Sequence, residues 1–269
     1  MLDVMMPAFA TSADGVPIAY EVDGPAGLAV VLVHGWCCDR TLWDAQIVSL
    51  SSDFLVARLD LAGHGQSGAS RTDWSMAAFG ADVSAVMSAA NLADVILVGH
   101  SMGVDVVLET ARRAKGCVRG LVWVDQYNQL STFMSEAQVQ ERVAAFRTSF
   151  AMTTRTFVQG MFSRASNADL IERVAIGMAS ARESIALAAL EATWNHGRAI
   201  PELLAELRLP IVSINAAEHF IDMDSLNQHG VHVIPMPGVG HFPMLEKPAE
   251  FNACLARAVE LICHDRSDA

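Results

Sequence analysis

Basic residues are scarce in this sequence, and long apolar runs are absent from it. The chain has 18 Lys and Arg against 30 Asp and Glu, which gives a formal net charge of −12. This excess of negative charge argues against nucleic acid and anionic membrane surfaces as partners. No segment approaches the ~18 consecutive apolar residues of a membrane span, so we expect no membrane association.

The start of the chain and its cysteines both favour a cytoplasmic location. Met1-Leu2-Asp3-Val4 carries an early acid and no basic segment, so we expect no secretory signal. The cysteines are odd in number and lack C-x-x-C spacing, which argues against a disulfide framework or a zinc site. They are Cys37, Cys38, Cys117, Cys254 and Cys263. We therefore expect reduced, mostly buried thiols and no bound metal.

Short apolar segments alternate with amphipathic helical patterns along most of the chain. Most of these segments are continuous β-branched runs, which is typical of strands buried on both faces. The seven predicted strands are Ile18–Asp23, Ala29–Val33, Leu55–Asp60, Val95–Val98, Gly120–Asp125, Ile211–Asn215 and Val231–Pro235. The pattern predicts an α/β fold with a mostly parallel central sheet and helices on both faces.

The alternation stops at residues 126–198, where helical periods replace the strands. We predict that this segment is a helical cap inserted into a core formed by residues 1–125 and 199–269. Its large side chains either pack the cap against the core or line an apolar pocket over the active site. Phe133, Phe162 and Trp194 of this segment, together with Trp36 of the core, are the candidate substrate-binding residues.

Gly99-His100-Ser101-Met102-Gly103 directly follows the apolar run Val95–Val98. A Gly-x-Ser-x-Gly sequence between a strand and a helix is typical of a serine held at a sharp turn with its hydroxyl exposed. The apolar positions after Gly103 recur with the helical period, so the required strand–turn–helix context is present. Ser101 is therefore the candidate nucleophile.

A serine nucleophile needs a base, and the base needs an orienting acid. His241 lies on a Gly-rich loop after the last predicted strand, where it could reach Ser101 at the carboxyl edge of the sheet. Asp125, at the carboxyl end of the strand beyond that of Ser101, is the favoured acid. Glu218, after the strand Ile211–Asn215, is the alternative acid.

The oxyanion of an acyl-transfer intermediate needs two convergent backbone N–H groups. Met102, at the start of the helix after the nucleophile, is expected to supply one of them. The second is expected from the loop after Ala29–Val33, where Gly35 allows the backbone to approach a substrate closely. Trp36 is the favoured donor in this loop, and Cys37 is the alternative.

Four motifs in this order resemble those of the α/β-hydrolase fold family across almost the whole chain. They are the oxyanion loop His34-Gly35-Trp36, the turn Asp60–Gly68, the nucleophile turn Gly99–Gly103 and the histidine loop Gly240-His241-Phe242. The resemblance implies esterase, lipase, lactonase, thioesterase or C–C-bond hydrolase activity without a cofactor. We expect a Ser-His-Asp serine hydrolase that cleaves a small-molecule ester, lactone or thioester. The only protein partner we expect is a second copy in a homodimer.

One departure from the family pattern bears on the acid and on the chemistry. Most members carry the acid after the penultimate strand, where this sequence has His219 just beyond Glu218. Some members place it one strand earlier, and the family's cofactor-free dioxygenases do so as well. Those enzymes have a similar Gly-Trp-Cys sequence, but they carry a His after the nucleophile serine, where this chain has Met102. A cofactor-free oxygenase that uses a His-Asp dyad on a heteroaromatic substrate is therefore the alternative function.

Overall fold

The computed structural model describes residues 6–265, and its centre is an eight-stranded sheet. The strands are β1 (Ala8–Thr11), β2 (Pro17–Asp23), β3 (Ala29–Val33), β4 (Leu55–Leu59), β5 (Val95–His100), β6 (Val118–Val124), β7 (Ile211–Ala216) and β8 (Val231–Met236). Their order is β1-β2-β4-β3-β5-β6-β7-β8. The pairings of β1 and β2 are antiparallel, and every other pairing in this sheet is parallel.

The predicted fold class is confirmed, and the seven predicted strands are present with ends shifted by at most two residues. Strands β3 and β5 are buried at every position, as their continuous apolar runs indicated. Strand β1 was missed because it has only four residues and is mostly exposed, which leaves no clear periodicity. The Met1–Val4 segment, on which the expectation of no secretory signal rests, lies outside the described residues.

Helices cover the sheet and also form the segment between β6 and β7. They are α1 (Asp44–Leu50), α2 (Met76–Ala89), α3 (Met102–Arg113), α4 (Glu136–Thr148), α5 (Phe150–Gln159), α6 (Ala168–Ala179), α7 (Glu183–His196), α8 (Ile200–Leu207), α9 (Met223–Gln228), α10 (Pro243–Glu246) and α11 (Pro248–Asp265). Short 3₁₀ helices lie at Arg40–Trp43 and Gly197–Ala199. Within residues 6–265, none of the helices is both long and apolar enough to cross a membrane.

Four helices, α4 to α7, occupy the segment predicted as the cap, and their starts follow the sequence signals. Ser135 and Gln138 form the reciprocal capping box that their spacing indicates at the start of α4. Asn167 accepts from two backbone N–H groups at the start of α6. The boundaries of the cap at residues 126–198 stay a prediction.

Candidate active site

Ser101 lies at the sharp turn between β5 and α3, with a φ of 52°. The two flanking glycines are required because the turn leaves no room for side chains. A Cβ on Gly103 would lie 2.5 Å from the carbonyl oxygen of Val33, and one on Gly99 would overlap the carbonyl of Gly103. Ser101 Oγ has no hydrogen-bond partner in the described part of the chain, and the side chain lines the cavity described below.

His241 and Asp125 meet at the same edge of the sheet although 116 residues separate them. Nδ1 of His241 donates to Oδ2 of Asp125 at 2.8 Å, and Oδ1 of Asp125 accepts from the Ala216 amide at 2.8 Å. Burial opposes ionisation of Asp125, but the hydrogen bonds from His241 and Ala216 hold its pKa below the usual value. Glu218 instead accepts from the Gly238 amide and is exposed. The structure therefore places Asp125, and not Glu218, behind His241.

This hydrogen bond fixes the tautomer of His241. A carboxylate can only accept, so the Nδ1 atom of His241 must carry the proton. The Nε2 atom of the neutral ring is then left with a lone pair that can take a proton. His241 lines the same cavity as Ser101, so the arrangement can support proton transfer from the serine hydroxyl.

His100 braces the histidine loop, a role that sequence reasoning missed. Its Nε2 donates to the backbone carbonyl of His241 at 2.7 Å, and the two rings lie 4.8 Å apart. Burial, together with the neighbouring His241, lowers the pKa of His100 to about 3. A neutral His100 adds no charge next to the imidazolium that His241 would form as a base. The only sequence signal for this role is its position directly before Ser101.

Near Ser101, the backbone N–H groups of Trp36, Cys37 and Met102 have no hydrogen-bond partner among residues 6–265. The N–H of Met102 is free because it opens helix α3, where the helix itself provides no acceptor. Trp36 and Met102 are the two predicted oxyanion donors, and both residues line the cavity. Cys37 stays the alternative donor and is not among the residues that line the cavity.

The Trp36 amide has a defined direction because the preceding carbonyl is engaged. The Gly35 carbonyl accepts from Nδ1 of His34 at 2.8 Å and from the Cys38 amide at 3.2 Å. A carbonyl and the next N–H belong to one planar trans peptide and point in opposite directions. The contacts of the Gly35 carbonyl therefore direct the Trp36 N–H away from its own loop.

A cavity of about 180 Å³ joins these groups to the predicted cap. Its lining residues are Trp36, Cys38, His100, Ser101, Met102, Gln126, Phe157, Met161, Met178, Leu190, Thr193, Trp194, His241 and Phe242. A larger, more open groove of about 680 Å³ adjoins it and contains neither Ser101 nor His241. The smaller cavity is the candidate active site because it holds the reactive groups.

Two of the four predicted substrate-binding residues line this cavity, and two do not. Trp36 and Trp194 line it, and the Trp36 indole donates to the Ala186 carbonyl of α7 at 2.7 Å. Phe162 instead stacks on Phe242 at 4.9 Å, and Phe133 packs against Tyr127 at 6.4 Å. Residue type does not show which way a helix or loop turns its side chains, and substrate binding by Phe133 and Phe162 stays a prediction.

A buried charged cluster joins the end of α7 to the nucleophile helix α3. His196 contacts Asp105 through Nδ1 at 2.7 Å and Glu109 through Nε2 at 3.0 Å. Tyr127 donates to Asp105, and Arg112 pairs with Glu109. Burial disfavours the charged imidazole, but the hydrogen bonds to both carboxylates raise the pKa of His196 to about 9. His196 is therefore charged at neutral pH and ties the predicted cap to α3.

We expect this cluster to make the folded protein lose stability as the pH becomes alkaline. The folded-state pKa of His196 lies above the ordinary value of 6.5, so its contribution is fully present below pH 6.5 and is lost as the pH rises through about 9. The urea concentration at the midpoint of unfolding should therefore decrease as the pH is raised from 7.5 to 10. The His196→Gln variant should have a lower urea midpoint than the wild type at pH 7.5, and its midpoint should decrease less over the same pH range. Equal falls in both proteins would contradict this prediction.

The comparisons with known proteins agree with the fold. A family model described as "Alpha/beta hydrolase family" matches residues 30–253. The pimeloyl-[acyl-carrier protein] methyl ester esterase of Methylococcus capsulatus is 41% identical over 96 residues, which is 35% of each chain. The chain spans about a third of the length of the first curated relatives that it matches.

Solved structures match over almost the whole chain at low sequence identity. A thermophilic esterase from Thermogutta terrifontis has a TM-score of 0.82 and 22% identity, and the match covers 96% of this chain and 99% of that one. The esterase EaEST from Exiguobacterium antarcticum has a TM-score of 0.83 and 18% identity, with 95% and 100% covered. At these identities the likeness establishes the fold and leaves the substrate open.

Proposed function

The chain belongs to the alpha/beta hydrolase family, and from this premise we propose that it is a serine hydrolase that cleaves carboxylic esters. One observation carries the proposal. His241, which is hydrogen-bonded to Asp125, lines a cavity that is also lined by Ser101 and by Trp36 and Met102, whose amides are free. Nucleophile, base, orienting acid and oxyanion donors are the parts that acyl transfer requires.

In the proposed reaction, His241 Nε2 takes the proton of Ser101 as Oγ attacks the ester carbonyl. The Trp36 and Met102 amides bind the negative oxygen of the tetrahedral intermediate. His241 then gives the proton to the leaving alcohol, which yields an acyl-enzyme. Water, activated by the same imidazole, releases the acid and restores the serine. Asp125 holds the ring and balances its positive charge throughout.

The cavity supports a limit on substrate size. Its volume of about 180 Å³ is below the ~300 Å³ at which pockets for drug-sized ligands begin, so we propose that it holds a short acyl chain. Lactones and thioesters of similar size present the same carbonyl. Cleavage of a C–C bond next to a carbonyl would use the same groups.

An ester panel tests this function. We expect the purified protein to hydrolyse p-nitrophenyl esters, with kcat/KM highest for acetate or butyrate and at least about tenfold lower for octanoate, which outgrows the cavity. A spectrophotometric assay at 400 nm measures the rates. Absence of hydrolysis across the panel would contradict the proposal, and a preference for octanoate would contradict the size limit.

A cofactor-free oxygenase is the second candidate, and the position of Asp125 favours it. The acid follows β6 instead of β7, and a His-Asp pair alone can deprotonate a heteroaromatic substrate. This function predicts consumption of O₂ with a hydroxylated N-heteroaromatic substrate and no need for Ser101 as a nucleophile. An oxygen electrode, used with the same protein preparation, separates it from ester hydrolysis.

A further inference from the structure

Gln126 is a polar residue of the cavity with no role in the proposed reaction. It directly follows Asp125 and lines the same cavity as Ser101 and His241. Its Nε2 donates to Oδ2 of Asp105 at 3.0 Å. The Gln126 side chain is therefore anchored by Asp105, a residue of helix α3 that does not line the cavity.

The amide of Gln126 cannot reverse its orientation. Asp105 is fully buried, and its other oxygen accepts from Tyr127 at 2.8 Å and contacts the His196 ring at 2.7 Å. A carboxylate only accepts, so a flipped amide would place Oε1 of Gln126 against the negative oxygens of Asp105. The cluster around Asp105 therefore fixes Nε2 toward the protein and leaves Oε1 as the free end.

This free end is an unpaired acceptor. Oε1 of Gln126 has no hydrogen-bond partner among residues 6–265, and it is not one of the unpaired atoms that are sealed from solvent. The backbone amides of Trp36 and Met102 are donors and suit the reacting carbonyl oxygen of the substrate. Oε1 of Gln126 is an acceptor, so it cannot hydrogen-bond to that oxygen. Oε1 suits a second substrate group, one that carries a hydrogen to donate.

The charges around the cavity restrict that group to a neutral donor or a cation. No Lys or Arg is among the lining residues, so a substrate carboxylate or phosphate would have no cation to pair with. A cation is disfavoured because the site is small and largely apolar, and burial of an unpaired charge is costly. A hydroxyl or an amide N–H remains.

We propose that Gln126 selects esters whose acyl chain carries a hydroxyl or an amide N–H close to the carbonyl. The inference rests on the proposed ester hydrolysis and names its substrate class. The donor group binds Oε1 of Gln126 while the carbonyl oxygen faces the Trp36 and Met102 amides. This two-point contact places the carbonyl carbon next to Ser101 and excludes acyl chains of the same size without the donor.

Matched ethyl esters test this selection, with kcat/KM measured by titration of the released acid. The set contains butyrate, the 2-hydroxy and 3-hydroxy derivatives, and their methoxy counterparts, which keep the inductive effect and lack the donor. We expect the wild-type kcat/KM for one hydroxy ester to be about tenfold higher than for its methoxy counterpart. This factor corresponds to the contribution of about one hydrogen bond. Gln126→Met should reduce that ratio to about one.

Thr193→Val is the matched control because it also removes a side-chain oxygen from a residue that lines the cavity. The Thr193 hydroxyl donates to the Ala189 carbonyl within α7, so the hydroxy preference should persist in this variant. If the wild-type enzyme has the same kcat/KM for the hydroxy esters and their methoxy counterparts, the inference is overturned before any variant is measured. The inference would also be overturned if Gln126→Met kept the preference for the hydroxy ester, or if it lowered kcat/KM equally for every ester. Hydrolysis of none of these esters would refute the ester function and the inference together.

Discussion

Replacing Ser101 with alanine is expected to abolish ester hydrolysis. The Ser101 hydroxyl is the only protein group in the proposed reaction that forms a bond to the substrate, so no acyl-enzyme can form without it. Loss of the triad nucleophile lowers kcat by about 10⁶-fold in a serine protease. We expect a loss of about 10⁵-fold or more with p-nitrophenyl butyrate, and the oxyanion amides account for the hydrolysis that remains.

The fold of Ser101→Ala should be unchanged, which makes the result interpretable. Ser101 Oγ makes no hydrogen bond within the described residues, so its removal leaves no buried group unpaired. Urea unfolding should give a free energy within about 0.5 kcal/mol of the wild type. Ser131→Ala, an exposed serine outside the cavity, should keep full activity. A folded Ser101→Ala variant with wild-type turnover would refute the nucleophile assignment.

Replacing Asp125 with asparagine is expected to have the second-largest effect, through the tautomer of His241. The Ala216 amide already donates to one oxygen of Asp125, so the asparagine carbonyl would take that position. Its NH₂ group would then face His241 Nδ1 and force that atom to accept. The proton moves to Nε2, which can no longer act as a base. The same change in a serine protease triad lowers kcat by about 10⁴-fold.

Glu218→Gln is the matched control for Asp125→Asn, because Glu218 is the rival acid and is also a carboxylate changed to its amide. Glu218 contacts the Gly238 amide at the surface, so we expect kcat/KM within about twofold of the wild type. Steady-state kinetics on one ester measures both variants. Activity lost in Glu218→Gln and retained in Asp125→Asn would show that the acid assignment is wrong.

Much of the fold could be predicted from the sequence, because buried parallel strands leave a strong local signal. Strand β5 and the glycines around Ser101 lie within nine consecutive residues, so the nucleophile turn can be read from one segment. The short edge strand β1 lacks such a signal. Its pairing with β2 depends on contacts that a four-residue segment does not encode locally.

The acid could not be settled from sequence because it depends on which strands are neighbours. Asp125 reaches His241 because β6 lies beside β7, where the Asp125 amide donates to the Ile214 carbonyl. The cluster of Asp105 and His196 joins residues 91 positions apart, and neither residue stands in a recognisable motif. Such contacts follow from the packing of α7 on α3, which hydrophobic periodicity alone does not specify.

Labelling of the wild-type protein with a fluorophosphonate probe tests the central claim most directly. The probe bonds to a serine only where a base and an oxyanion site activate it, and peptide mass spectrometry locates the adduct. We predict one label per chain, on Ser101, and much slower labelling of His241→Ala. A folded wild-type protein that stays unlabelled, or carries the label on another residue, would contradict the account.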